Sequence, residues 1–359
     1  VTIGGAPAIG LNHAIPASSN TPQFVKAVIL PGRGMDILQI QGYIPGKGVV
    51  DLLSSTTPEE AQKAMDGGPD DFNGNKNFAS GGPILVPYAN RIRGKYLAKK
   101  REIETTILGK KVLLPANWRG KKPNAEWHAM HGLILNRMFT NIVPQAHADN
   151  ASLSGALDAG DFGGHWLSKT DLSFTAELAA DKFGFTVTAK NAGDETLPMG
   201  IGWHPYFALP GGDREQARLY VPAKRRALAN NYDDVFPTGK IVDVKGTPYD
   251  FSAPGGAPLN KIFLDDSFTD LQKQPNGDTV IEVIDPAAKY GVRITAHSKQ
   301  VRAVQVYAPP DKNFVVVEPQ FNLGDPFSKV WPKNVDTGMV KLAPGESVTY
   351  SVTVELFVP

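Results

Sequence analysis

The stretch Val348-Thr349-Tyr350-Ser351-Val352-Thr353-Val354-Glu355-Leu356 alternates apolar and polar side chains without a break. A period of two puts every apolar group on one side of an extended chain, which defines a strand with one buried face. The same alternation runs through Phe183, Phe185, Val187 and Ala189. Phe174, Ala176 and Leu178 precede it, with Ala180-Asp181-Lys182 as the hairpin turn. Residues 280–284 and 292–296 read as a further pair joined by the turn at 286–291, and strands at 301–308 and 314–317 follow at once. Successive short strands separated by turn signals predict an all-β sandwich or barrel rather than βαβ units. Helical signals are few. Thr57-Pro58-Glu59-Glu60 is a capping box with proline at the first helical position, and its short helix is expected to end near Gly67-Gly68.

The composition agrees with many short elements. The 359 residues include 36 glycines and 29 prolines, both of which punctuate turns. No composition break or long linker divides the chain. It reads as one domain over residues 1–359, with residues 1–25 an extended N-terminal segment. The net charge of +1 argues against a nucleic-acid partner, which requires a basic face. No apolar run approaches the ~18 residues of a membrane span. There is no cysteine, which excludes disulfides, thiolate nucleophiles and cysteine-ligated metals. That absence, with Val1 standing where an initiator Met would be, sets the expectation of a periplasmic or secreted protein rather than a cytoplasmic one.

Several motifs invite chemistry and fail on inspection. Gly32-Arg33-Gly34 and Gly46-Lys47-Gly48 lack the third glycine and following helix of a phosphate loop, and read as turns. Asp71-Phe72-Asn73-Gly74-Asn75 opens like a calcium loop, but its sixth position is Lys76 and its twelfth is Gly82; a solvated loop is expected. His128 and His131 would share a face on a helix, as metal ligands can, but no zincin glutamate accompanies them and no metal is expected. No G-x-S-x-G elbow is present. Lys99-Lys100-Arg101 and Lys224-Arg225-Arg226 read as solvated faces.

What remains is a set of lone polar groups at the edges of apolar segments. Asn90-Arg91-Ile92 follows Ile84-Leu85-Val86-Pro87-Tyr88. His131 follows Ala129-Met130. His204 sits in Pro198-Met199-Gly200-Ile201-Gly202-Trp203-His204-Pro205-Tyr206-Phe207, Asp265 and Asp266 in Ile262-Phe263-Leu264-Asp265-Asp266-Ser267-Phe268, and Glu318 ends Phe314-Val315-Val316-Val317-Glu318. A charged group at such a place costs several kcal/mol if it is left unpaired. Each is either a satisfied structural group or one whose shifted proton affinity is used.

Taken in order, these segments resemble the aldose 1-epimerase (galactose mutarotase) family over roughly residues 27–357. Pro87-Tyr88-Ala89-Asn90-Arg91-Ile92 resembles the segment that brings a substrate-binding arginine. Met130-His131-Gly132 resembles the Leu-His-Gly whose histidine contacts the sugar near its reacting end. Trp203-His204-Pro205-Tyr206-Phe207 resembles the segment of the proposed general acid. Leu264-Asp265-Asp266-Ser267-Phe268 resembles the Asp-x-x-Phe whose aspartate binds sugar hydroxyls, a register that selects Asp265 over Asp266. Val317-Glu318-Pro319-Gln320 resembles the strand end carrying the catalytic base. The resemblance implies a large antiparallel β-supersandwich with few short helices. It also implies a cofactor-free interconversion of α and β anomers of a free aldohexose, with His204 as acid, Glu318 as base, and Arg91, His131 and Asp265 holding the sugar. Trp203, Phe207 or Phe268 would pack in the core or stack on the sugar.

The sequence departs from the family pattern at Leu133, where a second glycine is usual, at Trp203 and Ala208, where asparagines are usual, and between Asn117 and His128. These sites are expected around the sugar, so they bear on substrate identity. The expected partner is a small monosaccharide, and the expected state is a monomer or weak homodimer. Two other classes fit the same residues: a non-catalytic carbohydrate-binding β-sandwich, and a sugar-phosphate epimerase with extra basic residues at the mouth of its site.

Overall fold

The computed structural model describes residues 1–14 and 19–359. It is an antiparallel β structure built on two large sheets. A nine-stranded sheet runs, edge to edge, through the strands Thr140–Ala146, Asn150–Gly160, Thr170–Ala179, Lys182–Asn191, Ser347–Phe357, Tyr290–Ala296, Thr279–Asp285, Arg218–Tyr220 and Ala257–Pro258. The eight-stranded sheet contains Pro237–Asp243, Ala223–Ala229, Leu264–Leu271, Ala303–Ala308 and Phe314–Gln320 in that order, and closes with Gly202–Trp203 and Ile84–Leu85, while Tyr206–Ala208 also pairs with Phe314–Gln320.

The period-two reading holds in space. On Ser347–Phe357 the side chains of Val348, Tyr350, Val352 and Val354 are buried, while Ser347 and Thr349 face solvent. Tyr350 pairs across the ladder with Val187, and Val352 with Phe185. The two sheets pack through these residues. Phe185 meets Trp203 edge-on at 5.2 Å, and Tyr350 meets Phe321 at 5.5 Å. The Tyr350 hydroxyl donates to the Pro319 carbonyl at 2.6 Å, which ties the middle of one sheet to the strand that carries Glu318. A single apolar cluster joins residues from Leu11 to Val354 across both sheets.

A four-stranded sheet of Ile9–Asn12, Gln23–Leu30, Asp36–Ile44 and Gly48–Asp51 packs alongside, and Phe24 donates its N–H to Ala180 at the tip of the 170–191 hairpin. Part of the expected N-terminal segment therefore belongs to a sheet: residues 9–12 pair with residues 26–29. The expected helix is present as Pro58–Ala64. Thr57 Oγ1 accepts from Glu60 N, and Glu60 Oε2 accepts from Thr57 N. Among the described residues, no helix is long and apolar enough to cross a membrane.

The segment after that helix is not the solvated loop its sequence suggests. Asp71 is buried, and its Oδ1 lies 2.9 Å from Nη2 of the equally buried Arg33. Asp71 also accepts the N–H groups of Gly67 and Lys76, while Asn77 Oδ1 accepts from Arg33 Nε at 2.8 Å. The partner comes from a turn some forty residues away, which no local pattern announces. Gly34 makes that turn possible, because its φ is +65° and a Cβ there would sit 2.5 Å from the Ile134 carbonyl oxygen. Nor is Arg226 part of a solvated face: it is ion-paired with Asp266 and lies over the ring of Tyr249.

The Arg33–Asp71 pair fastens residues 67–79, which form one wall of the site. Asp71→Ala strands a buried guanidinium and is expected to destabilise the fold by about 3–5 kcal/mol. The check is the midpoint of urea unfolding at unchanged slope; a loss below ~1 kcal/mol, the value of a surface pair, contradicts it.

Candidate active site

The site grows from the alternation of three adjacent strands. In the register of the eight-stranded sheet Asp265 lies opposite Tyr307, and Gln305 lies between Ser267 and Glu318. Residues two apart share a face. Asp265, Tyr307, Gln305 and Glu318 therefore project to the same side, while Val306 and Val317 project into the core.

A second group faces them. Arg91 lies on the two-residue strand Arg91–Ile92, paired with Ala129–Met130 so that Met130 stands opposite Arg91. Asn90 and His131 flank this pairing with φ of 63° and 62°. Both are non-glycine residues in the left-handed region, and the His131 N–H donates to Asn90 O at 2.9 Å. His204 leaves the strand Gly202–Trp203 and donates its N–H to Pro83 O at 3.0 Å. Its neighbours fix its position. Trp203 Nε1 donates to Gly82 O at 2.9 Å, and the Tyr206 hydroxyl to Phe78 O at 2.6 Å.

Together these elements enclose a cavity of about 360 Å³ that all five residues singled out in the sequence line: Arg91, His131, His204, Asp265 and Glu318. His204 Nε2 is 3.4 Å from Glu318 Oε1, and the rings of His131 and His204 meet edge-on at 4.8 Å. Arg91 Nη2 is 3.5 Å from Asp265 Oδ2. Gln305 donates to Asp265 Oδ1 at 2.7 Å and accepts from Asn90 Nδ2 at 3.1 Å and from the Ser267 hydroxyl. Asp266 does not share this role; it is bound to Arg226 and to the Tyr232 hydroxyl.

Burial sets the proton affinities. It raises Glu318 well above the usual carboxylate range, with the nearby Asp265 charge adding to the rise and Arg91 opposing it. It lowers His204 to about 3, and Arg91 pushes the same way. His131 is also held well below the usual imidazole value by burial, then by His204, Arg91 and His128. Asp265 is raised by burial against the pull of Arg91 and Gln305. Burial thus favours a proton on the Glu318 carboxyl over one on the His204 imidazole.

Several sequence readings are resolved in the structure. His128 and His131 flank the two-residue strand Ala129–Met130 and are not on a helix, and His131 has a left-handed φ of 62°. His128 bonds to Glu126 O, packs on Phe236 and stays out of the cavity. Trp203, Phe207 and Phe268 are core residues, and the aromatic cavity wall is made instead by Phe78, Trp118, Tyr206, Tyr232, Phe263 and Tyr307. Of the departures from the family pattern, Leu133, Trp203 and Ala208 lie outside the cavity lining, whereas Trp118, Arg119 and Lys121 from the 117–128 segment are part of it.

Sequence reasoning missed Gln305 and Tyr307. A glutamine within Ala303-Val304-Gln305-Val306 was the available signal, of the same kind that singled out Glu318. The rim residues gave no signal. Their loop is held by Asp233, whose carboxylate accepts the N–H groups of Lys121 and Lys122, so its position depends on a residue over a hundred places later.

Solved structures place the architecture among galactose mutarotase-like β-supersandwiches. A galactose mutarotase-like protein from Clostridium acetobutylicum superimposes with a TM-score of 0.74 at 19% identity, covering 97% of this chain and 98% of that one. The GalM/aldose epimerase homologue from C. elegans does so with a TM-score of 0.69 at 16% identity, covering 98% and 99%. Residues 51–355 match the model of the family described as Aldose 1-epimerase, and the chain belongs to that family. The Escherichia coli (strain K12) protein bearing the name "Uncharacterized protein YphB" is 26% identical over 287 residues, 76% of this chain and 82% of that protein.

A folded-state value near 3 for His204 and for His128, against 6.5 unfolded, means both imidazoles stay neutral through the neutral range and gain a proton only well below pH 5. Histidine ring NMR shifts are expected to stay flat for both between pH 8 and pH 5; a midpoint near 6.5 for either contradicts the burial argument.

Proposed function

We propose that this chain is an aldose 1-epimerase that interconverts the α and β anomers of a free aldohexose. The observation that carries the proposal is the 3.4 Å approach of His204 Nε2 to Glu318 Oε1 inside the cavity, with Arg91 and Asp265 beside them.

Ring opening starts from the form with the proton on His204. Glu318 carboxylate removes the proton of the anomeric hydroxyl, His204 imidazolium gives its proton to the ring oxygen, and the C1–O5 bond breaks to the open aldehyde. Glu318 is then protonated and His204 neutral, the form burial favours. Rotation about C1–C2 presents the other face of the aldehyde. On closure Glu318 returns a proton to the carbonyl oxygen while His204 takes the hydroxyl proton and C1–O5 re-forms. Atoms and protons balance within the pair, and no further group supplies charge. Arg91, Asp265 and His131 hold hydroxyls by hydrogen bonds that are strongest where one partner is charged.

The pair works only while it holds one proton. Below about pH 3 His204 is protonated as well and no base remains; above the raised Glu318 value no acid remains. The mutarotation rate of α-D-glucose or α-D-galactose, followed by polarimetry, is expected to fall as pH rises through the Glu318 value, which burial places above the ordinary carboxylate range. Limbs at the ordinary carboxylate and imidazole values sink the electrostatic argument. Glu318→Gln and His204→Asn are each expected to lower kcat by about 10²–10⁴-fold. Full rate in both removes the role assignment.

A second reading, a phosphorylated aldose as substrate, is favoured by one observation. Arg119 and Lys121 line the cavity, their residues are exposed, and neither makes an ion pair among the described residues. If it holds, the Arg119→Ala, Lys121→Ala double variant raises KM for a hexose phosphate at least tenfold and leaves KM for the neutral hexose within twofold, about 1.4 kcal/mol of selective binding. Equal effects on both substrates exclude it.

A further inference from the structure

We infer that His131, His204 and Glu318 form a three-ligand site for a divalent transition-metal ion of the Zn²⁺ class, and that such an ion competes with the sugar for the reacting end of the cavity. The inference rests on the placement of the same three residues in the proposed active site, but not on their turning over a sugar.

The geometry is that of a metal site with one position left open. One donor atom from each of the three residues lies within 4.8 Å of the other two, and all three residues are buried. A tetrahedral ion with bonds of about 2.0–2.1 Å places its ligand atoms about 3.3 Å apart. His204 Nε2 and Glu318 Oε1 already stand 3.4 Å apart. The two remaining edges, both to His131, are at most 4.8 Å, so closing them asks a shift of no more than about 1.5 Å along each, within the reach of an imidazole rotation. Glu318 Oε2 has no hydrogen-bond partner and is shut off from solvent, so a carboxylate lone pair is left without a donor.

The ligand set selects the ion. Two imidazole nitrogens and one carboxylate oxygen suit Zn²⁺ and its first-row neighbours, whereas Mg²⁺ and Ca²⁺ prefer oxygen alone. Three protein ligands with the fourth position facing a cavity is the pattern of an exchangeable site. Of the cations that line the cavity, Arg91 is turned toward Asp265 and held by Asn90 Oδ1 at 3.2 Å, whereas Arg119 and Lys121 lie on exposed residues of the rim. The sequence pair His128 and His131 does not bind together, because His128 bonds to Glu126 and packs on Phe236.

The ion and the sugar need the same atoms. His204 and Glu318 cannot ligate a metal and exchange protons with an anomeric centre at once, so bound metal inhibits in competition with substrate.

The test is equilibrium dialysis of the whole chain against Zn²⁺, with Co²⁺ as the spectroscopic probe. One ion per chain is expected, with the strong visible d–d bands of four-coordinate Co²⁺. His131→Asn, His204→Asn and Glu318→Gln are each expected to weaken uptake at least about tenfold. Near-UV circular dichroism identifies any variant that fails to fold, and the wild-type competition stands without the variants. Saturating D-galactose or D-glucose is expected to remove the Co²⁺ bands. No uptake at millimolar ion, uptake unchanged in all three folded variants, six-coordinate spectra, or bands indifferent to both sugars each overturn the inference. Uptake is read without turnover, so a chain that binds the ion and does not mutarotate sinks the proposed function alone.

Discussion

Removing an ionisable group from water costs several kcal/mol unless something else solvates it, and this protein does so repeatedly in one small volume. Arg91, His131, His204, Asp265 and Glu318 are all buried around a single cavity. No pair among them is self-sufficient. Arg91 is divided between Asp265 and Asn90, Asp265 between Arg91 and Gln305, and Gln305 between Asp265, Asn90 and Ser267. The surrounding framework exists to hold such a network in place. Two large sheets, tied by Tyr350 to the Pro319 carbonyl, keep the strand bearing Glu318 fixed relative to the strands bearing Asp265 and Gln305. The proton affinities follow from that rigidity, because groups free to turn toward water would recover their ordinary values.

The framework was legible in the sequence because strands report their two faces with a period of two. Val348, Tyr350, Val352 and Val354 show it, and so does the strand Lys182–Asn191 beside them. The capping box at Thr57 was legible for the same reason: its partners are three residues apart. The five cavity residues stood out as polar groups at the edges of apolar segments, but only the ordered resemblance to a family joined them into one site and picked Asp265 over Asp266. What was not legible depends on residues distant in sequence. Asp71 looked like a solvated loop because its partner Arg33 belongs to another turn. The histidine spacing at 128 and 131 suggested a helix where the chain is extended. The rim at Trp118–Lys121 takes its position from Asp233.

The floor and the rim of the cavity are held in different ways. The floor of the cavity is set by sheet register, which cannot shift by one residue without turning every side chain to the wrong face. The rim is a loop held to another loop by backbone N–H groups and one carboxylate, and its side chains are free to differ. Leu133, Trp203 and Ala208, where the sequence departs from the family pattern, lie outside the cavity lining, the first two buried in the core. Arg119 and Lys121 belong to that rim.

The strand Ser347–Phe357 follows every other strand in the chain, yet it sits in the middle of its sheet, between Lys182–Asn191 and Tyr290–Ala296. Synthesis reaches it after its neighbours on both sides. Until then the nine-stranded sheet is two fragments, each with an unpaired inner edge, and Phe185 and Trp203 lack the cover that Tyr350 helps provide. The last insertion joins residues more than 150 positions apart, the kind of contact that makes folding slow and leaves strand edges exposed to other chains while it waits. Placing the clearest strand of the sequence there gives the late step its strongest local preference.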